Sequence, residues 1–75
     1  MKRTHLQVRK SILNALADSK EHAYGEIERK ANTNWETVRD HCKEMEIYGF
    51  VVVSDKSKVM VTKQGLEILK KLKED

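Results

Sequence analysis

The side chains able to ligate a metal through nitrogen or sulfur, or to act as strong nucleophiles, are few: His5, His22, His41 and the single cysteine, Cys42. The histidines stand 17 and 19 residues apart, and none has a second ligand at the short spacing that zinc sites use, so no metal site is expected. His41 and Cys42 are adjacent, which on a helix turns their side chains about 100° apart and rules out a Cys/His couple. Cys42 reads as core and His41 as its boundary. The sequence also lacks a Ser/His/Asp set, paired carboxylates in an apolar stretch and a glycine-rich phosphate loop. No enzyme activity is expected, and no cofactor or small-molecule substrate.

What remains is charge. Fifteen Lys and Arg against twelve Asp and Glu give a formal net charge of +3, a balance that permits nucleic-acid binding without requiring it. The distribution says more than the total. Arg39 and Lys43 lie one helical turn apart in a segment that also carries Asn34 and Thr37, types that bond adenine or phosphate and touch a thymine methyl. Arg29 and Lys30 precede that segment, Lys56 and Lys58 flank Ser57 further on, and Lys2, Arg3, Arg9 and Lys10 load the start of the chain. Glu36, Asp40 and Glu44 oppose this: they place acid on the same segment as Arg39 and Lys43, the pattern of a solvated face laced with ion pairs.

The apolar residues say which elements hold these groups. Val8, Ile12, Leu13 and Leu16 recur at three- and four-residue steps and predict a helix within 4–19. Residues 18–22 break the pattern, and 23–25 read as a short extended lead into a second helix over 26–31, with Ile27 and Ala31 inward. Thr33-x-x-Glu36 has the spacing of a capping box and opens a third helix over 33–48. Trp35, Val38, Cys42 and Met45 share one sector of it, so Trp35 is expected to be a core anchor. Gly49 ends the helix. The β-branched runs 50–54 and 58–62, separated by Asp55-Lys56-Ser57, predict an antiparallel hairpin. Thr62 then caps a last helix over 63–73, whose Leu66, Ile68, Leu69 and Leu72 form a broad apolar stripe.

This order of helix, helix, helix, hairpin, helix resembles the winged helix-turn-helix fold, in particular the small winged-helix regulators common in archaea and their viruses. Three local patterns carry the resemblance: Tyr24-Gly25-Glu26-Ile27 followed by Ala31-Asn32-Thr33-Asn34-Trp35-Glu36-Thr37-Val38; Met45-Glu46-Ile47-Tyr48-Gly49-Phe50-Val51; and Val61-Thr62-Lys63-Gln64-Gly65-Leu66-Glu67-Ile68-Leu69. The resemblance implies a mostly α, α+β domain that binds double-stranded DNA as a transcription regulator. The helix 33–48 would enter the major groove, and the 50–62 hairpin would act as the wing. The DNA-binding residues expected on this basis are Asn34, Thr37, Arg39 and Lys43 on the third helix, Arg29 and Lys30 on the second, and Lys56 and Lys58 on the wing. Winged helices also serve as protein–protein docking modules, and the acidic residues of the third helix keep that reading open.

Residues 1–75 have material for one core and are expected to form one domain. No apolar run approaches the ~18 residues of a membrane span, and the first residues lack the apolar stretch of a signal peptide, so a cytoplasmic protein is expected. One cysteine precludes an intrachain disulfide and fits a reducing compartment. A homodimer is expected through the terminal helices, with Leu66, Leu69, Leu72 and Leu6 as the candidate surface.

Overall fold

The computed structural model describes residues 4–73. The Thr4 hydroxyl accepts from the Gln7 N–H at 3.1 Å and the Gln7 side chain accepts from the Thr4 N–H at 2.8 Å, a reciprocal cap that starts helix α1 (His5–Ala15). Helix α1 is shorter than the 4–19 window, because the chain turns after Leu16 and passes through a left-handed residue at Ser19. Strand β1 (His22–Ala23) leads directly into α2 (Tyr24–Ala31), which ends on Asn32 in the left-handed region that asparagine tolerates.

Helix α3 (Trp35–Ile47) follows after a tight turn. Its cap differs from the expectation. The Asn34 side-chain oxygen accepts from the Thr37 N–H at 2.8 Å, so Asn34 rather than Thr33 is the N-cap, and the Thr33/Glu36 capping box does not form. Strands β2 (Val51–Val53) and β3 (Lys58–Val61) make the expected hairpin, paired Val51 with Val61 and Val53 with Val59. Strand β1 adds a third strand on the far edge of β3, pairing His22 with Val59 and Ala23 with Lys58. Helix α4 (Lys63–Lys73) closes the described chain.

The core lies between the helices and the inner face of the sheet. Ile12, Leu13 and Leu16 of the α1 segment meet Ile27 and Ala31 of α2, Val38, Cys42 and Met45 of α3, and Val51, Val59 and Val61 of the sheet. The strands alternate as a half-buried sheet must: Val59 and Val61 point inward, Lys58 and Met60 outward. Leu69 of α4 is buried, and Leu66, Ile68 and Leu72 pack against the same core. The stripe expected to be spare for dimerisation is thus largely used within the monomer, and Leu6 alone of that set stays well exposed, at 60%. Among the described residues no helix is long and apolar enough to cross a membrane.

One junction fixes the wing against α3. The Thr62 hydroxyl lies 2.6 Å from the Gly49 carbonyl oxygen and 3.0 Å from that of Phe50, and it accepts from the Gly65 N–H at 3.1 Å. The Thr62 N–H also donates to the Phe50 carbonyl, at 3.0 Å. The end of α3, the end of β3 and the start of α4 therefore converge on one threonine, which caps α4 as expected.

Candidate nucleic-acid interface

Helix α3 is divided along its length. Val38, Cys42 and Met45 are fully buried, whereas Glu36, Asp40, Lys43 and Glu44 are exposed on the other side. Burial also pushes the Cys42 thiol up to about 12, which leaves it a core hydrophobe at neutral pH.

Trp35 corrects the sequence expectation. It is 44% exposed rather than a core anchor. Its angular position matches that of the buried residues, but it is the first residue of α3 and lies beyond the end of the aliphatic core. There its ring stands perpendicular to Tyr24, with centroids 5.6 Å apart, and the Arg39 guanidinium lies over it at 5.1 Å from the centroid.

The structure distributes the expected site residues as follows. Asn34 is exposed, but its side-chain oxygen holds the α3 cap; bidentate pairing to adenine would call on that same oxygen. Thr37 is half-buried in a groove of about 540 Å³ between α1 and α3, shared with His5, Asn34, Asp40 and His41. Arg39 is half-covered and Lys43 exposed. Arg29 and Lys30 are exposed on the last turn of α2, with the Arg29 Nε–H donating to the Gly25 carbonyl at 3.4 Å. Lys56 and Lys58 are exposed at the hairpin tip, where Ser57 takes a left-handed conformation. Arg39, Lys43 and Thr37 thus share α3 with Asn34 at its cap, while the other two cationic pairs sit on the elements that precede and follow it.

Two polar clusters escaped the sequence reading. Arg9 of α1 reaches across to α3, pairing with Glu44 at 2.6 Å and donating from Nε to His41 Nδ1 at 3.5 Å. His41 is buried rather than at the boundary. Burial first, then the neighbouring Arg9 and His5, hold its pKa below the usual histidine value, so it is neutral and its proton lies on Nε2. His22 is the opposite case. It is also buried, yet Nε2 lies 2.8 Å from Asp18 and Nδ1 3.0 Å from Glu26. Ionised carboxylates only accept, so both ring nitrogens must donate and the imidazole is cationic; hydrogen bonding to Asp18, then Glu26, raises its pKa. The cluster clasps the α1–β1 turn, β1 and the start of α2. Its i, i+4 spacing was visible in the sequence, but such spacing is informative only where a helix is expected, and residues 18–22 are not helical.

Among the described residues no three His, Cys, Asp or Glu side chains come together as a metal site. The outer side of α3 presents hydrogen-bond donors, acceptors and, at its first residue, an aromatic ring.

Among curated proteins none matches this sequence. Solved structures do match in fold. A MarR family transcriptional regulator from Silicibacter pomeroyi superposes with a TM-score of 0.78 at 15% identity, over 91% of this chain and 51% of that one. BpsR of Bordetella bronchiseptica, whose DNA binding is regulated by 6-hydroxynicotinic acid, gives 0.76 at 21% identity, over 92% and 52%. A MarR family protein from Bacillus stearothermophilus gives 0.70 at 22%, over 99% and 54%. The chain spans about half the length of these proteins. The sequence profile described as winged helix-turn-helix matches residues 2–74, nearly the whole chain, and the chain belongs to that family.

Proposed function

We propose that this domain binds double-stranded DNA as part of a transcription regulator, with α3 in the major groove and the β2–β3 hairpin as a wing on the flanking backbone. The observation that carries the reading is the division of α3 into a fully buried side and an exposed side, with exposed cation pairs on α2 (Arg29, Lys30) and at the hairpin tip (Lys56, Lys58). A helix packed on one side and open on the other is what insertion into a groove requires, and the cations supply phosphate contacts at its edges. Arg39, Lys43 and Thr37 of α3 and its cap residue Asn34 are the residues assigned to the groove. Fluorescence titration of the protein into labelled duplexes at two salt concentrations tests this: affinity should fall steeply with salt, and no binding to any duplex at low salt would reject it.

A second reading, a protein docking module, is favoured by the exposed apolar residues Ile47, Tyr48, Val52 and Met60 together with the acid on α3. The same titration separates the two. A two-fold pair would double the few base pairs that one domain spans. Its surface would have to use Leu6 and the outer sides of α1 and α4, and a purely monomeric mass in sedimentation equilibrium would exclude it.

A further inference from the structure

Arg39 is held in place without being used. Its guanidinium lies over the Trp35 ring, one helical turn back, and its Nε is buried with no hydrogen-bond partner. The contact to Asp40, 3.6 Å from Nη2, is an ion pair beyond hydrogen-bond length. Among the described residues none accepts a hydrogen bond from this side chain. Free arginine carries rotamer entropy that binding must overcome, and the tryptophan face removes part of it beforehand. The result is a planar fork of donors, pre-oriented and half-exposed, near the start of the exposed side of α3.

Two chemistries accept such a fork: two oxygens of a phosphate, or the O6 and N7 of guanine. The surroundings choose between them. Asp40 is adjacent in sequence and 3.6 Å from the fork, and Glu36 lies one turn back on the same helix. Both acids repel a phosphate but leave a neutral base edge unopposed. Resting on the DNA-binding reading above, we infer that Arg39 is a specificity-determining residue that reads one guanine in the major groove, and that Trp35 is the residue that positions it. Tyr24, edge-to-face with Trp35, buttresses the ring from α2.

The test is selection of duplexes from a randomised pool by the wild type, Arg39→Gln, Arg39→Lys, Trp35→Ala and Trp35→Phe, with affinity for the selected and for a generic duplex measured for each. Thermal melts confirm that each variant is folded. The wild type should select a motif containing a guanine that both Arg39 variants no longer require. For Arg39→Gln, loss of one bidentate base contact corresponds to a fall in affinity on the order of 10- to 100-fold for that motif, with little change on generic duplex. Trp35→Ala should relax the same position and no other, and Trp35→Phe, which keeps an aromatic face, should restore part of it. Trp35 is the only tryptophan, so Arg39→Gln should also change the intrinsic emission of the free protein. Uniform weakening by Arg39→Gln with the motif unchanged would assign Arg39 to phosphate and overturn the inference while leaving DNA binding intact. An unchanged motif in folded Trp35→Ala would overturn the positioning role. Binding without any selected motif would overturn the inference alone, and no binding at all would overturn the DNA reading with it.

Discussion

Gly65→Ala should destabilise the domain even though alanine is the better helix former. A methyl at Gly65 would meet the Phe50 carbonyl oxygen and a methyl of Val61. The Phe50 oxygen cannot simply retreat: the Thr62 N–H donates to it, and the Phe50 N–H donates to the Met45 carbonyl at 2.9 Å. Overpacking costs about 1–3 kcal/mol, and weakening the bond at the Phe50 carbonyl adds roughly 1 kcal/mol. Helix propensity returns only about 1 kcal/mol, so a net loss of about 1–3 kcal/mol is expected. At roughly 4–8 °C per kcal/mol for a domain of this size, the melting temperature should fall on the order of 5–20 °C. Gly25 is the internal control, because a methyl there meets nothing within 4 Å, and Gly25→Ala on α2 should be neutral or stabilising by up to about 1 kcal/mol. Circular-dichroism melts and urea titrations of both variants decide the matter. If the two substitutions shift stability in the same direction by similar amounts, the close packing of α4 on the α3–β2 junction is not what holds the wing.

The remaining expectations concern charge and protonation. Charge reversal of Lys56 and Lys58 together should weaken binding to all duplexes alike and reduce the salt slope by about 2, since each phosphate contact contributes about 0.9; an unchanged slope would remove the hairpin tip from the DNA backbone. Cys42, fully buried with its thiol pushed up to about 12, should react with thiol reagents only on unfolding, and rapid labelling of the native protein would contradict its placement. His22→Gln should be most destabilising, relative to wild type, between about pH 4.5 and 6.5. A raised histidine pKa gives stability that is complete below the ordinary 6.5 and lost as pH rises through the folded value, while the lowered Asp18 and Glu26 lose theirs only as pH falls through their own folded values. Taking the difference between variant and wild type cancels the opposite contribution of His41, and a difference that does not vary with pH would show that the clasp is not ionic.

The helices and the hairpin were legible because their signals are local and repeated: three- and four-residue steps in α1, α3 and α4, β-branched runs in β2 and β3. Strand β1 was not, because two residues paired with the far edge of β3 carry no period. The cap of α3 was misassigned between neighbours, since Thr33 and Asn34 are both good caps and only the backbone decides between them. Trp35 shows a subtler limit. Periodicity fixes the angle of a side chain around a helix but not whether the core extends to its height along the axis. The cations were legible by type, yet their partners were not: Arg9, read as part of a basic N-terminus, turns to Glu44 and His41, far away in sequence.

That turn bears on the one sequence feature that argues against DNA. Glu36, Asp40 and Glu44 gave the outer side of α3 more acid than a phosphate-seeking helix should carry. In the structure Arg9 neutralises Glu44 from α1, whereas Asp40 stays exposed, 3.6 Å from Arg39, and Glu36 occupies the first turn of α3, where the helix dipole favours a carboxylate. The acid on α3 is therefore compensated from another element only at Glu44, Lys43 is exposed on the same helix, and further exposed cations lie at Lys56 and Lys58 of the hairpin and Arg29 and Lys30 of α2. On the DNA-binding reading proposed above, electrostatic attraction would act mainly through α2 and the hairpin, and the acid left on α3 would turn that helix from phosphate towards base edges. Such a division would favour discrimination between sequences over attraction to all of them, because a mismatched site would gain little from α3 and keep only the contacts at its edges.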